Sequence, residues 1–180
     1  SGLHIYHGGP EVTRQIDLVR ATLATGTPLF GSCWGLQVIT VAAGGQVRRN
    51  PKGREIGFGR GIRLTEAGRK HPMYIGKVEV FNAPTVHLDE VETVAPGTTV
   101  LAANAVSSVQ SAEIRTNGSV AWAVQYHPEY PLRELAAIVR RIGTRLIDEG
   151  FFADATDLRA FAQDLDNLDL GMLSTTIRSN

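Results

Sequence analysis

The chain has 180 residues, 43% hydrophobic and 20% charged, and its 18 Lys and Arg balance 18 Asp and Glu. That length and composition predict an ordinary soluble globular domain large enough to bury a sizeable core. The charge balance lacks the footprint of a nucleic-acid or membrane-surface binder, and no signal-peptide pattern or apolar run of about 18 residues marks a membrane segment. A single cysteine, Cys33, forms no internal disulfide, which points to a reducing compartment and the cytoplasm.

Taken in chain order, residues 3–6 read as a short strand running into the turn His7-Gly8-Gly9-Pro10. Val12, Ile16, Val19 and Leu23 have helical spacing, so residues 11–25 are expected as a helix that Gly26 stops. Residues 29–32 are the next strand and residues 34–43 the next helix, closed by Gly44-Gly45. This β-α-β-α order favours a parallel sheet with right-handed crossovers. Short strands follow at 62–65, 78–81, 100–103 and 109–114, with glycine-rich turns between residues 53 and 61 and at Pro96-Gly97. Thr116-Asn117-Gly118-Ser119 is a hairpin signal leading into a strand over 120–125. Leu135, Ile138, Val139, Ile142 and Leu146 form one face of a helix over 132–147, and a shorter helix follows around Leu158 and Leu165. The chain is thus read as a single domain over 1–168 with a loose tail over 169–180.

The chemistry concentrates in Phe30-Gly31-Ser32-Cys33-Trp34-Gly35-Leu36-Gln37. A strand that turns sharply into a helix leaves no room for bulky flanks, and Gly-x-Cys-x-Gly there reads as a nucleophile elbow. The helix N-terminus favours thiolate over thiol. A thiol nucleophile needs a base and the base needs an orienting acceptor; His127 and Glu129, at the end of another strand with Pro128 between them, are the candidates. In a parallel sheet the ends of different strands meet along one edge, where such sheets place their sites.

Together with Gln125-Tyr126-His127-Pro128-Glu129, the elbow resembles the class I (triad) glutamine amidotransferases. The turn His7-Gly8-Gly9-Pro10 looks like the family's oxyanion turn, and the segments 53–58 and 87–91 resemble two further family stretches, as does Pro96-Gly97 with Val100-Leu101-Ala102. The resemblance covers about residues 1–130 and is nearest to the glutaminase domain of GMP synthase and its stand-alone relatives. It implies a flavodoxin-like α/β sandwich, a mostly parallel sheet flanked by helices. The family usually has a strand, a helix and a strand before the Gly-Gly-Pro turn, so the chain is expected to lack an N-terminal β-α-β portion.

The resemblance further implies that Cys33 attacks the side-chain amide of glutamine and that backbone amides of Gly9 and Trp34 hold the oxyanion. His127 then protonates the departing ammonia and activates water against the thioester, Glu129 orients His127, and Gln37 lies near the α-carbon end of the substrate. Ammonia passes to a partner synthase in such systems. Two alternatives stay open: a stand-alone hydrolase of another γ-glutamyl amide, and a non-catalytic regulatory or interaction module that keeps the fold. No cofactor and no metal are expected. His4 and His7 are three apart without a third ligand nearby. His87-x-Asp89 is read as a structural or substrate-edge loop, and Arg48, Arg49, Lys52 and Arg54 as a solvated basic face.

Overall fold

The structure, a computed structural model, describes residues 3–178 and the side chains of residues 3–170. Its contacts divide the chain into two compact units, Ser1–Pro128 and Glu129–Asn180, so the division falls within the stretch expected as one domain.

The first unit opens with a 3-10 turn at Ile5–His7, followed by helix α1 at Pro10–Ala24. Pro10 suits the first helical position because its fixed φ matches the helix and its missing N–H is not needed there. Strand β1, Leu29–Ser32, leads through Cys33 into helix α2, Trp34–Ala42. Strands β2 (Gln46–Arg49) and β3 (Glu55–Leu64) come next, then a short helix α3 (Glu66–Lys70) capped by the Thr65 hydroxyl, which accepts from the Gly68 N–H at 3.0 Å. Strands β4 (Val80–His87), β5 (Asp89–Thr93), β6 (Thr98–Ala103), β7 (Ser111–Thr116) and β8 (Ser119–Val124) complete the unit.

The main sheet has the order β1-β8-β7-β6-β3-β4, and β2 pairs with β5 in a second, antiparallel sheet. The expected α/β class is borne out, with a mixed sheet: β1 and β8 are parallel, whereas the other neighbours in the main sheet are antiparallel. The physical reason is local for two of those pairs. Asn117 and Gly118 both have positive φ, 50° and 78°, which is the hairpin geometry that returns β8 antiparallel to β7. The link between β6 and β7, residues 104–110, is too short for the crossover of a dozen or more residues that parallel pairing needs.

One face of the sheet buries Ala112, Ile114, Ala121 and Ala123 against Leu23 of α1 and Leu36 and Ile39 of α2. A second cluster gathers Ile62, Leu64, Tyr74, Phe81, Leu101, Val124 and Tyr126. Each large side chain buried in this way stabilises the unit by about 1.5–3 kcal/mol.

The second unit holds helices α4 (Leu132–Arg141), α5 (Gly143–Asp148) and α6 (Ala155–Arg178). Asp169 of α6 accepts from the Leu132 N–H at 3.0 Å and from Arg133 at 2.9 Å, so it supplies an acceptor for the otherwise unpaired amides at the start of α4.

Several expectations change on contact with the structure. Residues 3–6 form no strand; they lead into a 3-10 turn because Ile5 is buried with Val12, Val38 and Val47 while His4 and Tyr6 reach Asp89. The glycine-rich stretch read as turns lies largely inside β3, whose pairing with β4 shifts register between Gly59 and Ile62. The helix expected over 132–147 is two helices that part at Ile142. Gly143 opens the second because a Cβ there would sit 2.8 Å from Leu158 Cδ1. The stretch expected as a loose tail from residue 169 is helical to Arg178; Ser179 and Asn180 lie outside the described residues. No helix among the described residues is long and apolar enough to cross a membrane.

Candidate active site

The parallel pairing of β1 with β8 sets Ser32 opposite Val124, and the Cys33 N–H donates to the Val124 carbonyl at 2.7 Å. Cys33 and the segment Gln125-Tyr126-His127 therefore leave the sheet at the same edge, as the elbow and the strand ends lead one to expect. Cys33 holds φ 48° and ψ −98°, a strained backbone for a non-glycine residue, and forms the N-cap of α2. The first N–H groups of a helix have no intrahelical acceptor, so the start of α2 presents donors and the positive end of its dipole beside the sulfur.

The two glycines of the elbow differ in what they do. A Cβ on Gly31 would lie 2.7 Å from Ile39 Cδ1 and 2.8 Å from the Gly35 backbone, so β1 passes beneath α2 only with hydrogen at that position. A Cβ on Gly35 would meet nothing within 4 Å. The steric demand expected on both flanks thus falls on Gly31. Trp34, the first residue of α2, donates from Nε1 to Gln15 Oε1 at 2.7 Å and so ties the elbow to α1.

Cys33 is buried, 4% exposed. Its Sγ lies 3.6 Å from the Val86 carbonyl of β4 and 3.6 Å from Gln125 Nε2. His127 is also buried, and its N–H donates to the Pro84 carbonyl of β4 at 2.8 Å. Strand β4 thus touches both the Cys33 sulfur and the backbone of the candidate base. Tyr126, between Gln125 and His127 in the chain, is fixed by a hydroxyl contact of 2.9 Å to Tyr74, which donates to Ser111 at 2.6 Å. Burial, with the neighbouring Tyr74 hydroxyl, pushes the Tyr126 phenol well above its ordinary range and keeps it neutral.

Gly9 has φ 100° and caps the start of α1, its carbonyl accepting from Thr13 N–H at 2.9 Å. That φ is open to glycine and strained for other residues. Gln37 is buried one helical turn after Cys33, and its Nε2 lies 3.5 Å from the Asp89 carbonyl, so its amide points into the protein at β5. Glu129 is exposed and opens the second unit.

Beneath this edge lies a buried polar network. His87 directs Nε2 to Glu55 at 2.8 Å and Nδ1 to the Asp89 carbonyl at 3.0 Å. Gln110 donates to Glu55 at 2.8 Å, and Asn104 donates to its other oxygen at 2.5 Å. Burial alone would raise the Glu55 pKa, but the hydrogen bonds and charge of His87, with those of Asn104 and Gln110, outweigh it and hold the carboxyl below its ordinary value. Both nitrogens of His87 are engaged inside the fold, which supports its reading as structural. His4 Nδ1 lies 2.8 Å from Asp89, and among the described residues no group of three or more His, Cys, Asp or Glu could hold a metal ion. The basic face is partly neutralised from within: Arg48 pairs with Glu90 and Glu92, both at 3.1 Å, and Lys52 donates to the Ala105 carbonyl.

Val86 and Gln125 carry no role in the sequence reading, yet both touch the sulfur. Gln125 sits inside a motif whose His and Glu draw the attention. Its signal is a polar side chain directly beyond a strand that ends in two apolar residues, Ala123 and Val124, both of them buried.

A family model described as "Glutamine amidotransferase class-I" matches residues 5–142. Over 166 residues the chain is 37% identical to a gamma-glutamyl-L-1-hydroxyisopropylamide hydrolase of a Pseudomonas species, which covers 91% of this chain and 56% of that relative. A gamma-glutamyl peptidase 3 of Arabidopsis thaliana is 34% identical over 147 residues, 80% of this chain and 55% of its own length. The chain thus spans about half the length of these two curated relatives. One subunit of the glutamine-hydrolyzing GMP synthase of Methanoculleus marisnigri is 28% identical over 144 residues, covering 80% of this chain and 70% of its own length. Among solved structures, a glutamine amidotransferase of Thermotoga maritima superposes with a TM-score of 0.73 over 96% of this chain and 71% of its own; at 18% identity this speaks for the fold.

Proposed function

The chain belongs to the class I glutamine amidotransferases, and from that membership we propose that it hydrolyses the side-chain amide of glutamine or of a γ-glutamyl amide through a thioester on Cys33. The observation that carries the reading is the parallel register of Ser32 with Val124, which sends Cys33 and His127 off one sheet edge, with Cys33 in a strained elbow at the start of α2.

In the proposed reaction the Cys33 thiolate attacks the amide carbon. Backbone N–H groups of Gly9 and Trp34 hold the negative charge that develops on the carbonyl oxygen, a task suited to helix-terminal amides that lack internal acceptors. His127 gives its proton to the departing amine or ammonia and then takes one from the water that opens the thioester, releasing glutamate. Glu129 orients His127 and stabilises its imidazolium form. Gln37 shapes the glutamyl pocket by holding the backbone of Asp89.

The leaving group separates two versions of this chemistry. In one, ammonia is released from glutamine and passes to a partner synthase; the Methanoculleus relative, a subunit of a glutamine-hydrolyzing GMP synthase, is in line with that version. In the other, a stand-alone enzyme cleaves a substituted γ-glutamyl amide; the Pseudomonas hydrolase, 37% identical over 91% of this chain against 28% over 80% for the Methanoculleus subunit, favours that version. We place the reaction in the cytoplasm, which a lone, catalytic thiol favours.

The test compares kcat/KM on glutamine with that on a series of γ-glutamyl alkylamides, using Cys33→Ala as the blank. A preference for the alkylamides supports the stand-alone version, and a preference for glutamine the ammonia-releasing one. Folded protein inert toward all of them, with Cys33 unreactive to a glutamine-mimicking alkylator, overturns the reading and leaves a non-catalytic module.

A further inference from the structure

Gln125 stands where an apolar side chain would fit the interior better. It is fully buried, its backbone N–H is bonded to the Gln110 carbonyl at 2.8 Å, and its side-chain Oε1 has no hydrogen-bond partner among the described residues. An orphaned buried carbonyl costs the fold the desolvation of that oxygen. Leucine or methionine would incur no such cost. The half of the amide that does have a partner is Nε2, and the partner is Cys33 Sγ at 3.6 Å.

The sulfur sits between opposites. The Val86 carbonyl, also at 3.6 Å, is an acceptor and can bond only to a protonated thiol. The Gln125 N–H is a donor and bonds best to the thiolate. A donor to the charged form favours that form. We propose that Gln125 is a further catalytic residue: its side-chain N–H holds the Cys33 sulfur as the attacking anion and fixes that sulfur against the Val86 strand. The proposal rests on the reading of Cys33 as nucleophile. It also explains the unpaired Oε1. The amide is oriented by the sulfur, and its other end goes without a partner.

The opposite orientation of the amide would set Oε1 against the sulfur and disfavour the thiolate, so the direction of the effect is diagnostic. Two variants of the full chain, Gln125→Met and Gln125→Glu, remove the donor; the first keeps the volume without polar atoms, the second keeps the shape with a carboxylate facing the sulfur. The titratable groups at the ends of the elements that meet at this edge include Tyr126 and His127 beyond β8, His87 at the end of β4 with Glu55 at the start of β3, Asp89 at the start of β5 and Glu11 in the first turn of α1. All are the same in both variants.

The probe is iodoacetamide, whose alkylation of Cys33 needs thiolate but no oxyanion site. Its rate is followed by mass spectrometry from about pH 5 to pH 10, beside a thermal melt of each variant. The expected result is a profile displaced to higher pH in both variants, further in Gln125→Glu, with alkylation at pH 7 slowed about fivefold or more. A merely structural glutamine would lower the melting temperature and leave the profile in place. Profiles that superimpose on the wild type, or move to lower pH, overturn the proposal. If Cys33→Ala still hydrolyses γ-glutamyl amides, the nucleophile reading falls instead, while the alkylation profile continues to decide whether Gln125 holds the sulfur as an anion.

Discussion

The Cys33 N–H donates to the Val124 carbonyl at 2.7 Å, one step beyond the last register pair of the parallel ladder, Ser32 with Val124. Cys33 is therefore held by the same strand that leads, through Gln125 and Tyr126, to His127, whose own N–H donates to the Pro84 carbonyl of β4 at 2.8 Å. It also means that Cys33 is gripped on both sides, by β8 and by α2, in a conformation it would not otherwise adopt.

That strain predicts an inequality between two inactive variants. Cys33→Ala and Cys33→Gly are both expected to lower γ-glutamyl amide hydrolysis by about 10³-fold or more. They differ in stability, because at φ 48° alanine keeps the strain and glycine releases it. Urea unfolding is expected to show Cys33→Gly more stable than Cys33→Ala by about 1 kcal/mol. Equal midpoints would show the elbow to be relaxed.

His127 and Glu129 are expected to separate by magnitude. Loss of a general acid–base costs about 10²–10⁴ in rate, so His127→Asn should fall by that much in kcat with little change in KM. Glu129→Gln keeps a hydrogen-bond acceptor but not the charge that steadies imidazolium, and a loss of about ten- to thousandfold is expected. A Glu129→Gln enzyme with unchanged kcat would remove Glu129 from the proposed triad.

Gly31 and Gly35 look equivalent in the motif and are not equivalent in space. Gly31→Ala drives a methyl into the backbone of α2 and is expected to destabilise by about 1–3 kcal/mol, with the elbow displaced and activity lost. Gly35→Ala adds a methyl where a Cβ meets nothing and replaces glycine in the first turn of a helix, so its melting temperature should match or exceed that of the wild type, by up to about 1 kcal/mol in stability. Thermal melts of the pair decide it.

Acid should act through Glu55. Its carboxyl titrates below its ordinary value of 4.5 in the folded protein, so the folded state binds its proton less readily than the unfolded chain does. The stabilisation is fully present above about pH 4.5 and is lost as the pH falls through the lower folded value. Glu55→Gln removes that dependence. Urea midpoints taken downward from pH 6 should fall less steeply for the variant than for the wild type, and parallel curves would assign the acid sensitivity elsewhere.

How much of this was legible in the residues depended on whether the determinant was local. The elbow and the Asn117-Gly118 turn were: Gly31 is required where α2 leaves no room for a Cβ, and Asn117 and Gly118 supply the positive φ that the hairpin needs. Strand β5 was not: the stretch at His87 and Asp89 reads as a structural or substrate-edge loop until Arg48 of β2 lies across from Glu90. Residues 3–6 alternate like a strand, yet their shape is decided by Asp89, more than 80 positions away in the chain. The contact of Gln125 with the sulfur spans 92 positions. Nothing in the motif that contains Gln125 says which of its polar atoms meets Cys33.

That span of 92 positions has a consequence for the life of the chain before it is folded. Pairing of β1 with β8 closes a long loop, and contacts of such separation form late and slowly. On the ribosome, Cys33 emerges well before residues 119–124 exist to hold it. Until then the thiol has neither the strained turn nor the strand end that carries His127, and it is an ordinary cysteine. On the proposed mechanism, reactivity is thus deferred to the completion of the first unit, which spares the nascent chain the side reactions of an early nucleophile.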